Sequence, residues 1–328
     1  MKVLVTGATG FTGGHLARHL RRQGHDVAAL VRPSSLRKTE ALTREGVTIR
    51  EGDLTDAPAV RAACEGIDVV FHIAATYREA GQTDAAYTRI NVDGTRHVLE
   101  GALANGVKRV VHCSTGGVHG HIEHPPANEN APFAPGDVYQ RTKLEAELLA
   151  ARFGRERGLD VVVARPIGIY GPGDLRFLKM FRGIARGRFP MLGRGQVFYH
   201  LTYIDDLCRG FELCGTVAGA AGRTYILAGP EYTTLQRLVE LVAQELGVRP
   251  PWIRLPVWPV WIAGAVCEAV CVPLRIEPPL YRRRVDFYSK SRAFDTARAR
   301  RELGYNPVVD LKTGIHLTAQ WYRSQGLL

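Results

Sequence analysis

The chain has no disulfide framework. Its six cysteines (Cys64, Cys113, Cys208, Cys214, Cys267 and Cys271) form no Cys-x-x-Cys pair and no regular spacing. They read as small apolar side chains of a protein kept in a reducing compartment. No signal peptide is read at the start, because Lys2-Val3-Leu4-Val5 is too short an apolar run and leads directly into a glycine turn. A cytoplasmic protein is therefore expected. Internal repeats and low-complexity tracts are absent. So is any block of like charge: the formal charge of +11 is spread over scattered basic residues with no recognition motif. That argues against nucleic-acid binding and leaves an arginine-rich surface suited to an anionic small molecule. Leu255 to Leu274 has the length of a membrane helix, about 20 residues, but Pro256, Pro259, Pro273 and Glu268 break it. Trp252, Trp258 and Trp261 crowd its start. A buried helix is expected, ahead of peripheral membrane contact or an apolar substrate wall. The local group His119, His121, Glu123 and His124 has no distant ligand to complete it, and no metal is expected.

What is present is a chain of 328 residues, enough for a sizeable core. Lys2-Val3-Leu4-Val5 reads as a buried strand, Thr6-Gly7-Ala8-Thr9-Gly10-Phe11-Thr12-Gly13 as a turn, and His15 to Leu20 as helix. Strand, glycine turn and helix together cradle a pyrophosphate. Gly7 permits the turn, Gly10 lets backbone approach phosphate, and Gly13 lets helix and strand pack closely. Further strands are predicted at Val27–Val31, Val47–Arg50, Val69–His72, Val110–Cys113 and Val161–Ala164, most of them separated by helical patterns. This alternation predicts an α/β fold: a doubly wound parallel sheet of the Rossmann type. After Pro166 prolines and glycines become dense. Helices Leu175–Arg186 and Thr234–Leu246 and strands near Val197–Ile204 and Thr224–Leu227 are expected there. We read residues 1–170 as a dinucleotide-binding domain and 171–328 as mainly a smaller, interleaved substrate lobe, with strands from about 197–230 returning to the sheet.

Tyr139 and Lys143 lie four apart in a helical stretch, Val138 to Arg157, and so share one face. An ammonium beside a phenol favours the phenolate and makes proton exchange feasible near neutral pH. Arg109 to Thr115 reads as a strand ending in hydroxyls, and ligands of a parallel sheet sit beyond the carboxyl ends of its strands. Thr115 falls where a substrate oxygen needs a hydrogen bond.

These motifs, with Gly52-Asp53-Leu54, His72-x-Ala74-Ala75, Asn91-Val92-x-Gly94-Thr95, Arg165-Pro166, Tyr170-Gly171-Pro172-Gly173 and Leu303-Gly304-Tyr305-x-Pro307, resemble the extended short-chain dehydrogenase/reductase family along essentially the whole chain. That group includes nucleotide-sugar epimerases and 3β-hydroxysteroid dehydrogenases. The resemblance implies Tyr139 as general acid/base, Lys143 as its partner and ribose ligand, and Thr115 on the reacting oxygen. It implies a cofactor site of Gly7, Thr9, Gly10, Phe11, Thr12, Gly13, Arg32, Ser35, Asp53, Leu54, Ala74, Ala75 and Pro166, joined by Tyr139 and Lys143. Ser114, Gly116, His119 and Tyr199 are expected toward the substrate, and Asn91 is expected to brace its helix. Helices Asp84–Ala104 and Val138–Arg157 would form a homodimer face.

Three departures narrow the chemistry. Gly116-Gly117 stand where dehydratases of the family carry an Asp-Glu pair, which argues against dehydration. His119 replaces the usual Tyr of Val-Tyr-Gly. Tyr199, seven residues before Asp206, replaces the usual diphosphate-binding Arg, for which Arg194, Arg283 or Arg284 would have to substitute. The region from Trp252 to Leu274, followed by Glu277-Pro278-Pro279, resembles the steroid-dehydrogenase branch. The second predicted strand ends in Arg32-Pro33-Ser34-Ser35, with Arg37 and Lys38 following and no acid. An acid there would meet the ribose hydroxyl of NAD, whereas cations suit the 2′-phosphate of NADP. NADP is therefore the expected cofactor, with NAD as the alternative. The expected function is an NAD(P)-dependent oxidoreductase acting at a secondary alcohol or ketone of a nucleotide sugar or bulky ring substrate. A nucleotide-sugar epimerase with tightly held NAD, and a non-catalytic cofactor-binding protein, are the alternatives.

Overall fold

The computed structural model describes residues 1–77, 82–251, 253–271, 274, 276, 278, 280 and 282–328. Trp252, Pro273, Glu277 and Pro279 lie outside the described residues, as do the side chains of Arg283 and Arg284.

Short apolar runs build the central sheet. Its strands are β1 (Lys2–Thr6), β2 (Asp26–Val31), β3 (Thr48–Glu51), β4 (Val69–His72), β5 (Arg109–Cys113), β6 (Asp160–Pro166) and β7 (Thr224–Leu227). They lie in the order β7-β6-β5-β4-β1-β2-β3, and every pairing is parallel. The central strands are apolar on both faces because both faces are covered. Val3, Val5, Phe71, Val111 and Val162 enter one core, and Leu4, Val70, Val110 and Val161 enter the other. The chain runs outward from β1 in one direction and from β4 in the other. This leaves a crevice at the carboxyl ends of those two strands.

Helices α1 (Phe11–Arg22), α2 (Gly94–Ala104), α3 (Val138–Arg157) and α4 (Ile204–Thr216) pack around the sheet. The bounds of α3 follow from its caps. Asp137 accepts a hydrogen bond from the Gln140 amide at 2.8 Å, and Gly158 turns left-handed at φ +72°. The helix expected over Asp84–Ala104 is not continuous. A short helix, Asp84–Thr88, passes through a π turn at Arg89–Asp93 before α2 begins.

Buried His72 ties β1, β4 and α2 together. The Ala74 amide donates to Thr6 Oγ1 at 3.1 Å, and Thr95 Oγ1 donates to the Asn91 carbonyl at 2.6 Å. The Thr6 proton is then free for His72 Nδ1 at 2.9 Å. Thr95 correspondingly accepts from His72 Nε2 at 3.0 Å. The ring is thus the neutral Nε2–H tautomer, and burial pushes its pKa down to about 3.

Beyond Pro166 lie short strand pairs: Ile169–Tyr170 with Thr202–Tyr203, Phe198–His200 with Tyr232–Thr234, and Met191–Leu192 with Arg254–Leu255. The strand expected over Val197–Ile204 is therefore divided at Leu201. After the first of these pairs, the chain returns to the main sheet as its edge strand β7. The apolar segment forms α5 (Val257–Cys271), which packs against α6 (Arg282–Ser289). The expectation of a buried helix does not hold for α5, where Gly264 is its one buried residue among those described. Apart from Glu268 the helix is apolar on every side, so sequence pattern alone could not say which side would meet protein. No helix among the described residues is long and apolar enough to cross a membrane.

Candidate active site

A cleft of about 820 Å3 runs along the carboxyl ends of the strands. At its floor the glycine turn is held by close contacts. Gly7 has φ +74°, and a Cβ there would stand 2.8 Å from Ala74 Cα. A Cβ on Gly13 would stand 2.3 Å from the Gly7 carbonyl oxygen. Gly10 caps α1, no side chain hydrogen-bonds its first amides, and the first turn carries no acid. Free amides and the positive end of a helix dipole suit a diphosphate. Thr9, Phe11, Thr12, Ala75 and Leu54 also line the cleft.

The floor continues past β2 to Arg32, Ser35 and Lys38. Arg32 Nε donates to Ser35 Oγ at 3.1 Å, and no acceptor for its two terminal nitrogens occurs among the described residues. Asp53 lies alongside, accepting from the Thr55 amide at 2.9 Å and hydroxyl at 2.8 Å. Burial opposes its charge, but these bonds, together with Arg32 and Arg89, hold its pKa below the usual carboxylate value.

In the opposite direction the cleft meets Ser114, Thr115, Tyr139 and Pro166. Thr115 Oγ1 accepts the Gly117 amide at 3.1 Å, so its hydroxyl proton remains available to another oxygen. Tyr139 meets Tyr77 edge to face, with ring centroids 4.8 Å apart. Lys143 does not line the cleft. It is buried one turn further along α3, and desolvation depresses its pKa, partly offset by Cys113 and Glu147. Asn91 fixes this arrangement. It accepts the Thr76 amide at 2.8 Å and donates to Thr142 Oγ1 at 3.0 Å, joining the loop after β4 to α3.

Gly116 and His119 do not line the cleft. His119 is buried, with Nδ1 donating to the Pro132 carbonyl at 3.1 Å and Nε2 accepting from Arg165 at 3.0 Å. It stands in a closed network rather than over a substrate mouth. In that network Arg165 pairs with Glu147, and Ser114 Oγ donates to Glu147 at 2.5 Å. Tyr199 lines the cleft, but its hydroxyl donates to the Phe287 carbonyl. Asp206 accepts the amides of Val308 and Val309 at 3.1 and 2.9 Å, a structural anchor for the C-terminal segment. Arg194 is exposed and does not line the cleft.

Sequence reasoning missed Tyr77, Arg176, Phe287 and Arg292, all on the cleft wall. Tyr77 stands two residues after Ala75 at the ligand end of β4, which was a usable signal. The others arrive from the lobe through long-range packing. Arg176 lies over the rings of Phe11 and Tyr77, at 5.6 and 5.9 Å from their centroids. His121, Glu123 and His124 assemble no metal site, and no group of three ligating side chains occurs among the described residues.

Residues 3–228 match the NAD dependent epimerase/dehydratase family. The chain belongs to that family. It is accordingly an NAD(P)-dependent enzyme of the extended short-chain dehydrogenase/reductase group. It is 33% identical to the 2-alkyl-3-oxoalkanoate reductase of Stenotrophomonas maltophilia, covering 96% of this chain and 97% of that one. It is 31% identical to a 3beta-hydroxysteroid-dehydrogenase/decarboxylase of Arabidopsis thaliana, over 96% of this chain and 78% of that one. Among solved structures, gox2253 superposes with a TM-score of 0.84 at 30% identity, covering 99% of both chains. The dTDP-glucose 4,6-dehydratase DesIV of Streptomyces venezuelae, as a double mutant with NAD and DAU bound, gives 0.77 at 27%, covering 100% of both.

Proposed function

We propose that this enzyme is an NADP-linked oxidoreductase that works at a secondary alcohol or ketone carbon of a bulky, largely apolar substrate. The observation that carries the reading is the pair of hydroxyls at the inner end of the cleft. Thr115 keeps a proton to give, and Tyr139 lines the same space.

When bound, the dinucleotide supplies or accepts the hydride. The protein holds the substrate oxygen and manages one proton. Thr115 donates to that oxygen and fixes its position. Tyr139 gives it a proton on reduction and takes one on oxidation. Lys143, buried one turn beyond Tyr139 on the same helix face, would favour the phenolate through its charge. Pro166, at the end of β6, bounds the reacting end. Arg32, Ser35 and Lys38 support NADP, since no acid competes for the ribose at the end of β2.

For the substrate, Phe177, Met180, Leu201 and Phe287 give the outer cleft an apolar wall. Tyr199 stands in place of an arginine that a diphosphate would use. The names of the reductase and hydroxysteroid relatives accord with this reading. Dehydration lacks its acid pair, and a Cβ on Gly116 would meet Ile167 Cδ1 at 2.0 Å. The second reading, a nucleotide-sugar epimerase retaining NAD, draws on Arg176 and Arg292 in the outer cleft, which suit an anion. We propose a homodimer contact through the faces of 84–104 and α3, a reading that exposed Leu148 supports.

The test is deuteride transfer. The enzyme is given NADPH deuterated at C4, with a panel of bulky ketones and of nucleotide hexoses. Deuterium on a new carbinol carbon supports the proposal. Inverted hexose with no net change in cofactor would replace it with the epimerase.

A further inference from the structure

Nine of the seventeen exposed large apolar side chains among the described residues lie between Ile253 and Ile276. Isolated exposed apolar residues are ordinary, but a contiguous set is not. On α5 they follow helical geometry. Trp258, Ile262, Val266 and Val270 are spaced by four and are 67%, 48%, 57% and 56% exposed. Trp261 flanks this stripe, and Leu255 precedes it. The opposite side touches protein, with Gly264 buried and Cys267 and Glu268 half-buried.

The helix is fastened to the substrate lobe. Met191 donates its amide to Ile253 at 3.0 Å, and Gly193 donates to Leu255 at 2.8 Å. α5 packs on α6, whose Phe287 forms part of the cleft wall. At 15 residues α5 is about 22 Å long, short of the hydrocarbon thickness of about 30 Å.

We infer that this face docks the enzyme on an anionic lipid surface, with α5 lying in the interface plane. Charge decides between a bilayer and a second copy of the chain. Arg249 and Arg254 precede the stripe, are exposed and have no carboxylate partner among the described residues. Arg275, Arg282, Arg283 and Arg284 follow it in the chain, and Glu268 is the one acid between Ile253 and Ile276. A two-fold contact through α5 would bring two copies of this basic flank together. Anionic headgroups would instead pair with exposed Arg249 and Arg254 while the acyl boundary takes the apolar stripe, and tryptophan suits that boundary. The inference does not rest on the proposed reaction.

The test is flotation of the full chain with vesicles of phosphatidylcholine alone and of phosphatidylcholine mixed with phosphatidylglycerol. The mixed vesicles should bind the protein, shift its tryptophan emission to the blue and lose it as salt is raised. The double variant W258S/V266S changes exposed positions only, and should retain NADPH binding while its vesicle affinity falls about tenfold or more. Arg254→Glu should weaken binding to the anionic vesicles selectively. Absence of binding to either vesicle, or unchanged binding by the double variant, would overturn the inference. So would sedimentation showing a dimer that the double variant dissociates while the wild type ignores lipid.

Discussion

Asn91 and Thr142 are joined by a 3.0 Å hydrogen bond that links the loop after β4 to the helix carrying Tyr139 and Lys143. The bond fixes where the phenol stands relative to Thr115, on a different strand end. Replacing Tyr139 by Phe keeps this frame and removes only the exchangeable proton. Turnover should fall by about a hundred- to ten-thousand-fold, with NADPH affinity nearly unchanged by calorimetry. Thr115→Val should lower kcat more than it raises KM, and Thr115→Ser should restore most of the loss.

Arg32→Asp places an acid where the sequence has none. NADPH binding should weaken about tenfold or more, in line with one charge-assisted hydrogen bond at about 1.5–3 kcal/mol, while NADH binding holds or improves. Equal losses for both cofactors would show that Arg32 does not read the phosphate.

Stability should depend on pH in two windows. Burial holds folded His72 at a pKa of about 3, against 6.5 when unfolded. Between these values the unfolded chain takes up a proton that the folded chain refuses, so stability falls as pH drops from about 6.5 toward 3. Buried Cys64 and Cys113 are raised from 9.0 to about 11. The unfolded thiols ionise first, and stability falls as pH rises from about 9 to 11. His112 sharpens the acid limb. It is wholly buried, neither ring nitrogen has a partner among the described residues, and burial with Lys143 nearby depresses its pKa. His112→Leu removes a buried polar ring whose desolvation costs about 1–3 kcal/mol. Urea midpoints should therefore be unchanged or higher at pH 7, with a shallower fall on acidification.

The Arg165–Glu147 pair beneath Ser114 is almost wholly buried. Glu147→Leu strands the guanidinium and should cost about 3–5 kcal/mol. The double change E147L/R165L should recover much of that in denaturant melts.

The parallel sheet was legible because strands covered on both faces are written as apolar runs. Val69–His72 and Thr224–Leu227 match their strands end for end. α3 was equally plain, since the helical stretch expected over Val138–Arg157 matches the helix end for end. The π turn around Asn91 was not legible, because it depends on contacts with Thr76 and Thr142 rather than on local preference. Nor was the exposure of α5, whose apolar residues surround the helix on every side. The glycine turn was readable from its strand–turn–helix context, Thr115 from its place at a strand end and Tyr139 from its spacing with Lys143, their roles being implied by the family resemblance; all three line one cleft. Arg176 and Arg292 were not, because they come from distant parts of the chain and only packing aims them at the site. His119 showed the reverse error: a titratable residue near a motif was read as facing substrate, whereas Arg165 and Pro132 enclose it.

The proposed chemistry is net redox with a cofactor that comes and goes. It is tested most directly by native and then denaturing mass spectrometry of the purified protein, followed by titration with NADPH and NADH. The purified protein should be free of tightly held dinucleotide and should bind NADPH well and NADH poorly. NAD retained through purification and released only on denaturation would contradict that chemistry.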